Sequence, residues 1–132
     1  MTRDDLIYEA IQARENSYSP YSKFAVGAAL LTTDGRVFRG CNIENAAYGL
    51  CMCGERNAIF NAYSNGVTQD DIEAIAIVAD TDEPVSPCGS CRQVLSELFP
   101  KNGKIYLANL KGDVKETNIT ELLPFAFDSG DF

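Results

Sequence analysis

Two short stretches of this chain combine side chains that can bind a metal and move protons. The first, CMCGER, carries Cys53, Glu55 and Arg56, and the second, PCGSC, carries Cys88 and Cys91. Thiolate sulfurs favour zinc, and the chain contains no histidine that could replace them as a ligand. The residue types and their spacing therefore predict a tetrahedral zinc site built from two distant segments.

The fourth position of such a site is open to two interpretations. Cys51 could close it as a fourth thiolate, which would make a purely structural zinc module. Alternatively, Cys51 is buried packing and the fourth position is left open for water. Glu55 favours the open site because its carboxylate could reach that water, although a glutamate in a first helical turn also complements the helix dipole.

Composition limits the class of protein and the class of partner. The 132 residues suffice for one domain with a buried core, and 19 acidic against 11 basic residues give a net charge of −8. This charge opposes nucleic acid and favours a neutral small molecule. Neither a signal-peptide pattern nor a run of about 18 apolar residues occurs, so we expect a cytoplasmic protein without a membrane partner. The five cysteines suit metal better than disulfides in a reducing compartment.

The first half of the chain predicts a helix and an antiparallel pair of strands. Thr2 and Asp5 form a capping-box pattern, and apolar residues at helical spacing extend the helix to about Tyr18. Strand-like runs occupy Phe24–Leu31 and Val37–Asn42, joined through an Asp-Gly pair that is typical of hairpins.

The second half alternates strands and helices. We predict a helix at Cys53–Tyr63, a strand at Ile72–Ala79, a helix from Pro87 to Phe99 with Ser86 as its cap, strands at Lys104–Asn109 and Val114–Thr117, and a short helix capped by Thr120. The Ile72–Ala79 run is apolar except at Glu73, which indicates a strand covered on both faces by helices. The last two strands are joined by a turn too short for a crossover and should be antiparallel.

This order of elements explains how the distant cysteines can meet. Helices that follow strands in right-handed crossover units begin at the carboxyl edge of the sheet, so the first turns holding Cys53 and Cys88 should lie together. Helix N-termini favour anions by up to about 1 kcal/mol each, which lowers thiol pKa values and prepares thiolates for zinc.

The segments CNIENAAYGLCMCGERNAIF and PVSPCGSCRQVL resemble the small zinc-dependent cytidine deaminases of pyrimidine salvage, and the likeness covers nearly the whole chain. It implies one catalytic domain over residues 1–132 with an α/β fold in three layers, α/β/α, around a mixed five-stranded sheet. It also implies hydrolytic deamination of cytidine and deoxycytidine to uridine and deoxyuridine. By this resemblance Cys53, Cys88 and Cys91 bind Zn²⁺, Glu55 shuttles protons and Arg56 withdraws charge from the thiolates.

The resemblance also implies how a nucleoside is bound. Phe24 would contribute an aromatic face to the base, Asn42 and Glu44 would hold the ribose hydroxyl, and an acidic Glu44 would repel a 5′-phosphate. The remaining implied contacts are Ala46, Tyr48 and Phe127. Relatives in this family are homotetramers in which a tail phenylalanine, best matched here by Phe127, covers the base of an adjoining subunit, so we expect shared pockets.

Two positions depart from the family pattern. The family usually has alanine between the metal cysteine and the glutamate, where this chain has Gly54, and tends to have a small residue at the position of Phe125. Glycine loosens the start of a helix by roughly 0.5–1 kcal/mol but removes no functional group. We therefore expect the same chemistry despite Gly54.

Overall fold

The computed structural model describes residues 1–132, which form one five-stranded sheet and four α-helices. In chain order the elements are α1 (Arg3–Arg14), β1 (Val26–Thr32), β2 (Val37–Cys41), α2 (Gly54–Ser64), β3 (Ile72–Ala79), α3 (Gly89–Leu98), β4 (Lys104–Asn109), β5 (Val114–Thr117) and α4 (Ile119–Leu122). The strand order is β2-β1-β3-β4-β5. Only β3 and β4 are parallel to each other as neighbours, so the sheet is mixed, as predicted.

Helices cover both faces of this sheet and divide the core into two. On one face α1 packs Leu6, Ile7 and Ala10 against alanines and other apolar residues of the strands. On the other face α2 and α3 pack Ile59 and Leu95 against the isoleucines of β3. The predicted three-layer α/β/α arrangement is therefore confirmed.

The strand at the centre of the sheet accounts for the longest apolar run in the sequence. β3 is buried at every position except Glu73, and its side chains alternate between the two cores. A strand covered on both faces has no solvent side, so it gains nothing from polar residues at alternate positions. The predicted bounds of this strand, Ile72–Ala79, agree with the structure.

Two glycines let helices lie directly on the sheet. A Cβ on Gly40 in β2 would lie 2.2 Å from the backbone nitrogen of Ala58 in α2, and one on Gly27 in β1 would lie 2.1 Å from the carbonyl oxygen of Ala10 in α1. These are backbone atoms that cannot rotate away. The close approach of α2 holds its N-terminus at the edge of the sheet where β2 ends.

Several predicted element ends were wrong in the first half of the chain. The capping box of Thr2 and Asp5 is present, but α1 ends at Arg14 instead of near Tyr18. Tyr18 instead donates its backbone N–H to the Asn42 carbonyl at 3.0 Å, a tertiary contact that helical spacing cannot reveal. β1 begins at Val26 because Lys23, with a φ of 60°, turns the chain just before it.

Two helix caps were also predicted wrongly. α3 begins at Gly89 with Cys88 as its N-cap, so Ser86 and Pro87 precede the helix. Asn118 caps α4 by accepting from the Glu121 N–H, in place of the predicted Thr120. Asparagine and threonine are both good caps, and the sequence alone did not distinguish them.

None of the helices combines the length and the apolar character that crossing a bilayer requires.

Candidate zinc and nucleoside site

The candidate site lies at the edge of the sheet where β2 and β3 both end. Gly27 in β1 pairs with Cys41 at the end of β2 and with Val78 near the end of β3, so these ends are neighbours. The two helices that follow these strands, α2 and α3, have Cys53 and Cys88 as their N-caps. Consecutive strand-to-helix connections thus bring two cysteines 35 positions apart to one place.

Three sulfur atoms converge there. Cys53 Sγ lies 3.8 Å from Cys88 Sγ, which lies 3.3 Å from Cys91 Sγ, and all three sulfurs are within 4.8 Å of one another. A tetrahedral zinc ion with Zn–S bonds of about 2.3 Å places its sulfur ligands roughly 3.8 Å apart. The number, softness and separation of these donors therefore fit zinc.

Cys51 lies outside this group. Its sulfur accepts a hydrogen bond from the Asn45 N–H at 3.3 Å and so faces the loop that precedes it in the chain. The structure thus has three converging thiols rather than four. This geometry favours the open site over the closed four-cysteine alternative.

Arg56 lies in the first turn of α2 and faces the cluster. Its Nη2 donates to Cys53 Sγ at 3.3 Å, and its pKa is raised chiefly by that hydrogen bond. The hydrogen bond with Cys91, together with those from Arg56 and Cys88, lowers the pKa of Cys53 to about 5 despite its partial burial. The pKa of Cys91 is raised by its hydrogen bond with Cys53 and by its burial.

Glu55 is a buried carboxylate beside the same cluster. Only 5% of the residue is exposed, and its Oε1 accepts a hydrogen bond from Cys91 Sγ at 2.8 Å. Burial is the main reason that its pKa is raised, because removal from water disfavours the charged form. A carboxyl group whose pKa is raised is suited to accept and return protons near neutral pH.

Cys53, Cys88 and Glu55 form one wall of a cavity of about 190 Å³, and the fully buried Cys91 does not line it. The other lining residues are Ser22, Phe24, Val26, Asn42, Glu44, Gly54, Val85, Ser86 and Pro87. A larger cavity of about 390 Å³ lies at the opposite edge of the sheet but contains no cysteine. The chemistry of the lining residues, rather than the cavity volume, therefore identifies the candidate site.

Asn42 fixes the part of the cavity that contains Phe24. Its Oδ1 accepts from the Val26 N–H at 2.9 Å and from the Ser17 hydroxyl, while its Nδ2 donates to the Phe24 carbonyl at 2.7 Å. Both oxygen lone pairs are used, and one N–H of Nδ2 remains. Asn42 can therefore act toward a ligand only as a donor.

Glu44 is held by the loop that precedes Phe24. Its Oε1 accepts from the backbone N–H groups of Tyr21 at 3.0 Å and Ser22 at 3.1 Å, and its Oε2 accepts from the Ser22 hydroxyl. The Ser22 hydroxyl bond is the main reason that the pKa of Glu44 is lowered. One acceptor position on Oε2 remains for a ligand hydroxyl.

Three residues predicted to contact substrate do not line this cavity. Ala46 and Tyr48 lie in the exposed loop between β2 and α2, where Tyr48 packs edge-to-face on Tyr21 at 6.3 Å between ring centroids. Phe127 lies in the tail, 57% exposed, and packs edge-to-face on Phe132 at 5.4 Å. One chain therefore brings together only part of the predicted set.

The sequence analysis did not predict six residues of the cavity wall, namely Ser22, Val26, Gly54, Val85, Ser86 and Pro87. Ser22 belongs to the SYSPYSKF segment, which was interpreted only as a turn, although its serines could have suggested a carboxylate partner. Ser86 and Pro87 were assigned to the start of a helix, whereas they form the extended approach to Cys88. An error of two residues in a helix start thus concealed part of the site.

Gly54, which departs from the usual alanine, lies against the start of β1. A Cβ at this position would be 3.0 Å from the Val26 carbonyl oxygen and 3.3 Å from Val26 Cγ1. The glycine relieves a tight contact without changing the neighbouring Glu55 or Cys53.

The fold and the site together define a class of protein, the zinc-binding deaminases, in which cysteines at two helix starts accompany a glutamate. Residues 1–107 match the family model for the cytidine and deoxycytidylate deaminase zinc-binding region. This chain therefore belongs to the cytidine deaminase family.

Individual cytidine deaminases resemble this chain over nearly its whole length. The chain is 60% identical over 131 residues to the cytidine deaminase of Halalkalibacterium halodurans, covering 99% of this chain and 98% of that protein. It is 53% identical to the cytidine deaminase of Sporosarcina psychrophila, covering 99% of this chain and 95% of that protein. The crystal structure of cytidine deaminase from Burkholderia pseudomallei superposes with a TM-score of 0.94 at 52% identity, covering 96% of this chain and all of that one.

Proposed function

We propose that this chain catalyses the hydrolytic deamination of cytidine and deoxycytidine to uridine and deoxyuridine, with release of ammonia, as a step of pyrimidine salvage. The observation that carries the proposal is the convergence of three thiols, one of which contacts the buried carboxylate of Glu55 in the wall of a small cavity. A purely structural zinc site has no use for a buried carboxylate at this position.

Cys53, Cys88 and Cys91 would hold the zinc ion. When bound, zinc supplies Lewis-acid activation of water for attack on the ring carbon that bears the amine. Glu55 takes the two protons of the water in turn and delivers one to the ring nitrogen and the other to the departing amine. The chain has no histidine for these transfers, so one carboxylate serves all of them. Arg56 withdraws charge from the sulfurs by donating to Cys53.

The opposite wall of the cavity supports a nucleoside rather than a free base. Phe24 offers a ring face, while Asn42 retains one N–H donor and Glu44 one acceptor position for sugar hydroxyls. The anionic Glu44 carboxylate disfavours a 5′-phosphate by like-charge repulsion. The alternative is deamination of another amine-bearing heterocycle by the same chemistry.

We further propose that residues 1–132 form one catalytic domain that assembles into a homotetramer with shared pockets. Phe127 and Phe125 are exposed in the single chain, and Phe125 has a φ of 55°. A left-handed backbone costs a residue with a side chain about 1–2 kcal/mol, and the ring of Phe125 is fully exposed in the single chain. A neighbouring subunit that covers these rings would explain their exposure. The five free cysteines fit a cytoplasmic location.

The test combines zinc analysis with an ultraviolet assay of cytidine, deoxycytidine and free cytosine. We expect one zinc per chain, turnover of both nucleosides and little turnover of cytosine. Glu55→Gln should retain zinc while turnover falls beyond the roughly 10²- to 10⁴-fold of a simple acid-base role, because several proton transfers are lost. Glu73→Gln, at the exposed end of β3, is the matched control and should match the wild type. Unimpaired turnover by Glu55→Gln would contradict the mechanism, and equal rates on cytosine and cytidine would contradict the ribose contacts.

A further inference from the structure

Arg92 joins three parts of the molecule with its guanidinium group. Its Nε donates to the Pro87 carbonyl at 2.9 Å, its Nη2 to the Ser86 hydroxyl at 2.8 Å, and its Nη1 to the Leu122 carbonyl at 2.8 Å. Arg92 lies in the first turn of α3, directly after Cys91. One side chain therefore connects this helix, the segment before it and the end of α4.

The acceptors of Arg92 are unusual for a charged group. All three are uncharged oxygens, and none of the four ion pairs of the chain includes Arg92. A guanidinium presents its N–H groups in a rigid planar fork, so it can reach three acceptors in fixed directions at once. A lysine would have a similar charge at one point and could not reproduce this geometry.

Both segments that Arg92 holds are connected to the candidate site. Ser86 and Pro87 line the cavity beside Glu55. Leu122 precedes the tail that carries Phe127, and the neighbouring Gln93 donates its Nε2 to the Phe127 carbonyl at 3.0 Å. Successive residues of α3 thus fasten the tail at two points, while Arg92 also fastens the cavity wall.

We propose that Arg92 is a positioning residue that holds the Ser86–Pro87 wall of the cavity and the tail in a fixed relation. The expected effect of Arg92 on turnover rests on the proposed deamination. Its expected effect on the positions of the cavity wall and the tail does not. If the tail covers a neighbour's pocket, Arg92 also couples the shape of its own pocket to that of the next subunit.

The test compares Arg92→Lys and Arg92→Gln with the wild type. Both variants should retain one zinc per chain, because no ligand is removed. We expect kcat/KM for cytidine to fall about 10- to 100-fold in both, as a displacement of about 1 Å causes, and mainly through a higher KM since Glu55 stays in place. Arg36→Gln, which removes an exposed arginine of the β1–β2 hairpin, is the control and should behave as the wild type.

Hydrogen exchange of the zinc-loaded protein provides a readout that needs no substrate. Exchange should become faster in residues 84–88 and 119–128 of both Arg92 variants, and unchanged in β1. If the wild type fails to deaminate cytidine, the proposed function fails while this measurement still decides the role of Arg92. Wild-type kcat/KM in Arg92→Lys, loss of zinc together with activity, or unchanged exchange in both segments would each overturn the proposal.

Two milder variants keep the proposal testable if the Arg92 variants do not fold. Ser86→Ala removes one bond to the cavity wall and should raise KM without changing exchange of the tail. Gln93→Ala removes the bond to the Phe127 carbonyl and should accelerate exchange of residues 119–128 alone. A wild-type KM in Ser86→Ala together with wild-type hydrogen exchange in Gln93→Ala would overturn the proposal.

Discussion

At the scale of single residues, the hydrogen-bond partners of each polar side chain determine its role in the site. Cys53 accepts a hydrogen bond from Arg56, and hydrogen bonds with Cys91, Arg56 and Cys88 lower the pKa of its thiol. Glu55 is buried next to Cys91, whereas Cys51, two positions before Cys53, is directed to Asn45. Side chains only a few positions apart therefore have different roles.

Substitution of single cysteines separates the zinc ligands from Cys51. Cys51→Ala should keep one zinc per chain and most of the activity, because its sulfur lies outside the converging group and hydrogen-bonds with the Asn45 backbone. Cys53→Ala should lose zinc, since two thiolates remain where three converged. Metal content measured by atomic spectroscopy checks both variants. Loss of zinc from the Cys51 variant would instead support a closed four-thiolate site.

Ser22 should control the titration of Glu44. The Ser22 hydroxyl lowers the pKa of this carboxyl in the folded protein, so the unfolded state binds more protons between the two pKa values. This contribution to stability is present above the unfolded pKa and is lost as the pH falls through the folded pKa. Ser22→Ala should raise the folded pKa and reduce that contribution.

The titration can be followed through the chemical shift of the Glu44 side-chain carboxyl carbon. Ser96→Ala is the matched control because the Ser96 hydroxyl bonds to the Gln93 carbonyl on α3. An unchanged Glu44 pKa in the Ser22 variant would contradict the assigned cause.

At the scale of elements, the site depends on how closely helices approach the sheet. α2 lies against β2 at Gly40, which leaves no space for a side chain between the two backbones. The capped ends of α2 and α3 meet at one edge because both helices follow strands that end there. A shift of α2 along the sheet would move Cys53 and Glu55 together.

Gly40→Ala tests this close approach. The added Cβ would lie 2.2 Å from the Ala58 nitrogen and 2.6 Å from the Gly54 carbonyl oxygen, so α2 must move. We expect a loss of about 1–3 kcal/mol in the free energy of unfolding, measured by urea denaturation at one protein concentration.

Gly89→Ala is the matched control, because no atom lies within 4 Å of its added Cβ and alanine favours the first turn of α3. A stability equal to that of the wild type in Gly40→Ala would contradict the packing argument.

At the scale of the whole molecule, the tail is the segment that the single chain leaves exposed. Phe125, Phe127 and Phe132 all have exposed rings, although α3 fastens the tail backbone through Arg92 and Gln93. A fixed backbone that presents exposed rings is suited to meet another surface. Closed symmetric assembly would repeat this contact for every pocket.

A mixed assembly tests whether pockets are shared. Glu55→Gln chains with a normal tail are combined with Phe127→Ala chains that keep Glu55, and cytidine turnover is measured. If tails are exchanged, hetero-oligomers should recover part of the activity that both parents lack, since some pockets receive a normal Glu55 and a normal Phe127. Each parent assembled alone is the control. A fully active protein that is monomeric by light scattering would rule out shared pockets.

The sequence by itself determined the elements whose signals are local. The Thr2–Asp5 capping box, the unbroken apolar run of β3 and the Asp-Gly turn each depend on neighbours in the chain, and all three agree with the structure. The cysteine motif likewise indicated zinc chemistry, because soft ligands at short spacing have few other uses.

Only the tertiary structure decided which side chains face one another across the site. The contact between Glu55 and Cys91, the direction of Cys51 and the wall formed by Ser22 and Ser86 all join segments that are distant in sequence or depend on where a helix begins. A residue's type states which bonds its side chain can form. Which bonds it does form depends on backbone positions that the packing of the helices on the sheet sets.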